Sequence, residues 1–247
     1  MSWHDFWPPI RISLQVALLS SVIVLILGVA AAWWMSKRRF RGKIVLETAL
    51  ILPLVLPPTV VGFLLLVILG RKSWIGQAAE WLLHAPIIFS WWAAVIAAVV
   101  VSFPLVYQTM KNGFAAIDPE LENAGRSSGA SEWQVFRHIT LPLTYHSLGT
   151  AFILGFARGL GEFGATLMIA GNIPGKTQTI PTAIYVAVDA GNMPLAWAWT
   201  CAIIVISFLM LLLTGQRNQA GAAEAVEKSR ANPCITGEIM DIVEQKQ

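Results

Sequence analysis

Four stretches of the chain, residues 13–34, 48–70, 85–110 and 190–216, contain no Asp, Glu, Lys or Arg. Each matches the roughly 20 residues a helix needs to cross about 30 Å of hydrocarbon. A fifth stretch, 147–171, is equally long but carries Arg158 and Glu162. Backbone polar groups in lipid must pair within their own segment, so helices are the economical structure for such runs. Only 13% of the 247 residues are charged, too few for a water-soluble surface, where about a quarter is usual. The expected fold class is all-α: a polytopic membrane protein with five transmembrane helices at about 13–34, 48–70, 85–110, 147–171 and 192–214, within one membrane domain over residues 1–216.

The net charge is +3, and the distribution of cations matters more than their sum. Lys37, Arg38, Arg39, Arg41 and Lys43 follow the first span; Lys111, Arg126 and Arg137 follow the third; Arg217, Lys228, Arg230 and Lys246 follow the fifth. Only Arg71 and Lys72 follow the second, and Lys176 the fourth. By the positive-inside rule the richer side is cytoplasmic, which places the N-terminus outside and the C-terminus inside a bacterial inner membrane. The first run is preceded by Arg11 as its one cation, opposed by Asp5, and its apolar core exceeds the ~7–15 residues of a signal peptide. It is expected to be retained.

Between the spans, 36–46 reads as a basic inner loop, 71–84 as an outer loop and 111–146 as the longest inner loop. Residues 172–189 read as an outer loop whose apolar run, 180–188, is too short to span and suits a re-entrant or interfacial helix. Residues 217–247 read as a polar cytoplasmic tail of mixed charge, compatible with disorder. Cys201 falls in the fifth span and Cys234 in the tail, so no disulfide is expected between them. His4, His84, His138 and His146 show no metal-ligand spacing. Neither a metal nor a cofactor is expected on this chain.

Two motifs resemble nucleotide sites and are better read otherwise. Gly159-Leu160-Gly161-Glu162-Phe163-Gly164 fits G-x-G-x-x-G, which binds dinucleotides only between a strand and a helix. Inside a span, Gly155 and Gly159 instead form a pair that lets helices approach closely. Gly175-Lys176-Thr177 ends like a phosphate-binding loop, but Gly171 and Gly175 are one residue too close and no strand precedes them. No nucleophile–base arrangement stands out, so no catalytic residue is assigned and no enzyme is expected.

The inner loop is the most informative segment. Asp118 can cap a helix, Pro119 suits the first helical position, and Glu120 and Glu122 favour the positive helix start. Gly129 allows a turn, and Ser131 with Gln134 makes a capping box for a second short helix. Pro142 closes the segment. The prediction is a pair of short helices with small residues at the bend, where a partner can approach closely.

This segment resembles the cytoplasmic loop of the permease subunits of ABC importers, written E-x-A-A-x-x-x-G followed by I-x-L-P. Glu122, Ala124, Gly129, Ile139, Leu141 and Pro142 fall on the pattern, and Gly125 stands where the second alanine is usual. The run from Leu52 through Pro57, Pro58 and Thr59 to Gly62, and the run from Gly155 to Thr179, are similar to the molybdate permeases and also to sulfate/thiosulfate permeases. The resemblance implies a type I importer fold and a homodimer of permease subunits. It further implies two cytoplasmic ATPase subunits, which dock on Glu122, Ala124, Gly125, Gly129, Ala130, Ile139, Leu141 and Pro142, and an extracytoplasmic oxyanion-binding protein.

Pro57 and Pro58, with Thr59, are expected to kink or break the second span, border the pathway and shape its gate, or to serve packing alone. Arg158 and Glu162 lie four apart on one helix face and can pair. They either lock the span against its neighbours or lend charge to an anion path. The rival class is a stand-alone ion-coupled carrier, which would use those two charges but has no need of the inner loop. The short chain and five-span layout favour a permease that moves molybdate into the cytoplasm, with sulfate/thiosulfate or tungstate as the alternative.

Overall fold

The computed structural model describes residues 3–38, 40–83 and 85–231, with side chains described over 6–38, 40–82 and 85–212. Arg39, His84, Cys234 and the rest of 232–247 lie outside the described residues, and His4 outside the described side chains. Among the described residues the chain is all-helical. In order come α1 (Trp3–Lys37), α2 (Lys43–Val55), α3 (Pro58–Leu69), α4 (Trp74–Leu83), α5 (Trp91–Ala115), α6 (Pro119–Ser127) and α7 (Glu132–Val135). A π-helical turn (Phe136–Thr140) leads into α8 (Leu141–Leu143), α9 (Tyr145–Leu160), α10 (Gly164–Ala170), α11 (Ile180–Asp189) and α12 (Met193–Ala231). The chain divides into one unit ending at Ser207 and another beginning at Phe208.

Helices α1, α5 and α9 pack on one another and form the frame. In a membrane no hydrophobic effect pulls helices together, so contact depends on small residues that let backbones approach. Ala93, Ala94, Ala97 and Ala98 of α5 are buried. A Cβ at Gly28 would lie 2.8 Å from Val106 Cγ1, and one at Gly155 would lie 2.9 Å from Val106 and 3.2 Å from Val24. At Gly159 it would meet Ser20 Oγ at 3.0 Å. Gly159 of the dinucleotide-like motif, like Gly155 before it, therefore serves helix packing. Gly155→Leu should force α9 away from α1 and α5, destabilising the subunit by about 1–3 kcal/mol. Thermal unfolding in detergent measures this; an unchanged midpoint would contradict the packing.

A second layer forms where α10 lies across α3 and α5. A Cβ at Gly62 would sit 2.7 Å from Ala165 Cα and 2.8 Å from Met168 Cβ, so α3 and α10 touch almost backbone to backbone. Lys111 and Glu47, 2.9 Å apart, tie α5 to α2. On the other side Ile180, Ala183 and Ala187 of α11 pack with Ile10 of α1 and with Ala196 and Trp199 of α12.

Among the described residues three helices are long and apolar enough to cross a membrane: Phe6–Lys37, Trp91–Ala115 and Met193–Leu212. The count reaches five only if each of two bent pairs is one span, α2 with α3 and the Glu132–Leu143 segment with α9. The second expected span is therefore a broken helix and not merely a kinked one, bent by 115°. The cause is local. Leu56 precedes Pro57 and Pro57 precedes Pro58, and a residue before proline is pushed out of the α region. Both are extended, with ψ of 141° and 137°. At ~1.5 Å per residue neither half alone reaches across ~30 Å of hydrocarbon.

Other boundaries also move. The third span begins at Trp91 and not near 85, because Phe89 takes a left-handed φ of 57° and donates its N–H to Ile169 O (2.8 Å). The fourth is interrupted at 161–163, between α9 and α10. The segment 71–84, expected as an outer loop, contains α4, whose Trp74 and Trp81 are exposed as residues of an interfacial helix would be. The expected short run appears as α11, with Asp189 exposed at its end. The expected tail begins as a continuation of α12, where Ala220, Ala222, Ala223 and Ala225 are strong helix formers.

Candidate coupling segment and pathway residues

The segment after α5 folds as two short capped helices. Asp118 accepts a hydrogen bond from the Glu120 N–H (2.9 Å) at the start of α6, with Pro119 in its first turn. Ser131 caps α7, and Gln134 Oε1 accepts the Ser131 N–H at 2.8 Å in the reciprocal half of the capping box. Between them Gly129 has a φ of +85° and nothing within 4 Å of where a Cβ would stand. The bend is thus an exposed apex that only glycine enters without strain. Ala124, on α6, is exposed, and Ala130, beside the apex, is half-buried.

Gly125 has a different reason. A Cβ there would lie 2.6 Å from Ile139 Cδ1, so the missing methyl lets Ile139 seat against α6. Ile139 belongs to the π-helical turn, whose wide winding buries both Phe136 and Thr140. Leu141 packs into the core around Phe136, and Pro142 stands exposed in α8. The chain then bends by 74° at Thr144 into α9. Pro142 therefore precedes the corner and does not itself form it.

Two further contacts seat the segment, and linear spacing showed neither. Phe136 stacks against Trp33 of α1 with centroids 4.8 Å apart, and against Trp133 (5.5 Å) and Phe114 of α5 (6.4 Å). Beside this cluster lies an ionic network. Glu122 Oε2 meets Lys37 Nζ at the end of α1 (2.5 Å) and Arg126 Nη2 (3.0 Å), while Glu122 Oε1 accepts from Thr140 Oγ1 (2.8 Å). Arg126 Nε donates to Glu132 Oε1 at 2.6 Å. Only the Glu122–Arg126 pair, four apart, was readable from the sequence; Lys37 is distant in the chain and Thr140 carries no charge.

Burial works to raise the Glu122 carboxyl, but hydrogen bonds from Lys37, Thr140 and Arg126 outweigh it and hold the group below the usual carboxylate range. Arg126 lowers Glu132 in the same way, and Glu132 with Glu122 raises Arg126. Carboxyls with depressed folded values stabilise the segment above their unfolded value of about 4.3 and lose that contribution as pH falls through the folded value. Hydrogen exchange of the amides over 119–143, corrected for intrinsic rate, should accelerate below about pH 4. Protection that persists there would show that the network does not brace the segment.

The pathway candidates are brought together by packing. A Cβ at Gly164, the first residue of α10, would lie 3.1 Å from Pro58 Cβ and 3.2 Å from Thr59 N. The break in the second span thus faces the break after α9, while Pro57, Pro58 and Thr59 are exposed on the other side. Arg158 Nη1 donates to Glu162 Oε2 (2.8 Å), with the Glu162 side chain buried and the Arg158 side chain 30% exposed. Glu162 Oε1 accepts the Ala165 N–H at 2.9 Å and so satisfies one donor at the start of α10. Sequence spacing gave the ion pair but not this second bond. Among the described residues no group of His, Cys, Asp and Glu could hold a metal ion.

Comparison with known proteins supplies the rest. A permease protein of Bacillus subtilis (strain 168), YvgM, is 59% identical over 88% of this chain and 96% of its own length. The molybdenum transport system permease protein ModB of Escherichia coli (strain K12) is 42% identical over 84% of this chain and 91% of its own. The sulfate transport system permease protein CysT of the same organism is 32% identical over 85% and 79%. A solved bacterial ABC transporter involved in the import of alginate superposes with a TM-score of 0.71 at 15% identity, covering 89% of this chain and 80% of that one, so the fold is that of an ABC importer's membrane subunit. Residues 24–219 match the family described as the binding-protein-dependent transport system inner membrane component, and the chain belongs to that family.

Proposed function

We propose that this chain is the membrane-spanning subunit of an importer that moves molybdate into the cytoplasm with energy from ATP hydrolysed by partner subunits. Supporting the anion is the greater similarity to a permease named for molybdenum than to one named for sulfate. Supporting the mechanism is one observation above the others: the exposed apex at Gly129 is braced by Glu122, Arg126 and Phe136 onto the end of α1. A force applied at the apex reaches α1, α5 and α9 through rigid contacts, as a lever needs.

In this reading two copies enclose the pathway and two ATPase subunits bind the apex segment. A binding protein delivers the anion on the opposite side. ATP binding closes the ATPases, and the segment passes that motion to the helices, biasing an inward- against an outward-facing state. The segment is cytoplasmic, with the N-terminus outside and the C-terminus inside. The chain needs no cofactor of its own. Arg158 and Glu162 act as a lock, since both Glu162 oxygens are occupied and a paired arginine has little field to offer an anion. That same pairing argues against the ion-coupled carrier, which would need one of those charges free.

The test of the substrate is competition. Vesicles holding the permease with its ATPases, supplied with the binding protein, should take up labelled molybdate, and unlabelled molybdate or tungstate should suppress that uptake far more strongly than equal sulfate. Equal suppression by sulfate would overturn the choice of anion.

A further inference from the structure

At the end of α1 away from Lys37 lies a cavity of about 730 Å³ lined by Trp7, Arg11, Gln15, Trp91, Gly175 and Lys176, among others. Arg11 and Lys37 are about 39 Å apart along α1 at ~1.5 Å per residue, so the cavity and the coupling segment sit at opposite ends of that helix. A second cavity, of about 540 Å³, shares Gln15 and Trp91 and continues past Leu18, Leu19 and Val22. Toward the middle of α1 the lining thus carries no charged residue.

We propose that Arg11 and Lys176, with Gln15, Trp7 and Trp91, form a receiving vestibule for a tetrahedral oxyanion. Four observations carry it. Arg11 lies near the start of the candidate span Phe6–Lys37, where a long side chain keeps its charge toward water, and it lines the cavity. Among the described residues neither Arg11 nor Lys176 has a carboxylate partner, so both fields are available. The indole Nε1 of Trp91, which lines both cavities, is buried with no hydrogen-bond partner.

The fourth is the way Lys176 is held. Lys176, Thr177 and Gln178 all donate their N–H groups to Ile173 O (3.0, 2.9 and 3.2 Å), and Gly175 supplies the left-handed turn at φ +73°. Ile180 N–H then donates to Ser13 Oγ at 2.7 Å, fastening this turn to α1 two residues from Arg11. The Gly175-Lys176-Thr177 motif, which is no nucleotide loop, thus holds Lys176 on the wall of the cavity that Arg11 also lines. Two cations with amide and indole donors suit a doubly charged tetrahedral anion. The apolar continuation offers no further charge to trap it.

This proposal rests on the oxyanion reading above for the identity of the ligand, but its electrostatics can be tested alone. The permease–ATPase complex is prepared with Gln15→Cys, Cys201→Ser and Cys234→Ser in uncharged phosphatidylcholine vesicles. Modification by a negatively charged methanethiosulfonate is compared with that by its positively charged counterpart. The anionic-to-cationic rate ratio should exceed that of free cysteine by on the order of tenfold. It should fall back in Arg11→Gln with Lys176→Gln and be kept in Arg11→Lys. Millimolar molybdate should slow the anionic reagent. A ratio equal to that of free cysteine overturns the vestibule. So does a ratio that phosphatidylglycerol abolishes while molybdate leaves it unchanged, since the cations would then hold a lipid phosphate. If the ratio is raised and molybdate-protected but the vesicles import no molybdate from the binding protein, the vestibule stands and the transport reading fails.

Discussion

Gly129→Trp should leave the subunit in the membrane at its normal level and reduce ATP-driven uptake to that of vesicles without ATP. The Cβ position at Gly129 is open, with nothing within 4 Å, so a side chain can start there without a clash and adds bulk to the exposed apex. The substitution also forces a left-handed φ on a side chain, at about 1–2 kcal/mol. Gly129→Asn separates the two effects, because a short polar side chain tolerates that backbone region. Uptake should survive in Gly129→Asn and vanish in Gly129→Trp. Normal uptake by the tryptophan variant would mean that no partner approaches this apex.

Glu162→Ala should be the most damaging single change within the bundle. It strands the Arg158 guanidinium and leaves the Ala165 N–H without its acceptor. Removing one partner of a fully buried pair costs about 3–5 kcal/mol, and with Arg158 partly exposed the cost here falls below that range but stays a sizeable share of a stability of ~5–15 kcal/mol. Glu162→Gln keeps an acceptor for Ala165 and should fall between it and the wild type. The exchanged variant, Arg158→Glu with Glu162→Arg, restores opposite charges but puts a donor where α10 needs an acceptor. Its unfolding midpoint in detergent should therefore stay well below the wild type. Full recovery would show that pairing alone matters and that the bond to α10 is dispensable.

These two residues illustrate what the sequence could and could not reveal. Spacing of four placed Arg158 and Glu162 together, because helical periodicity is local. The bond to Ala165 depends on the chain leaving the helix at Gly161, which no periodicity announces. The coupling segment was legible in detail, caps and bend included, since Asp118, Pro119, Gly129, Ser131 and Gln134 act on their own neighbours. What seats that segment was not: Lys37, Trp33 and Thr140 meet it only through the tertiary fold.

The break at Leu56–Pro57 is an intermediate case. Two successive prolines put two residues, not one, outside the α region, so that a full break, and not only a kink, was inferable. The helix α4 was missed because 71–84 is too short to span and its Trp pattern suits the interface. Gly125 shows the reverse. By propensity it is a defect in α6, and its reason, Ile139 Cδ1 at 2.6 Å from a Cβ, lies across the fold.

The central claim is that this chain moves its anion only when ATPase subunits act on the segment around Gly129. Vesicles holding the chain alone and vesicles holding it with its ATPases can be given the loaded binding protein, with either ATP or an imposed ion gradient. The account predicts labelled molybdate uptake only where ATPases and ATP are both present. Gradient-driven uptake by the chain alone would contradict it.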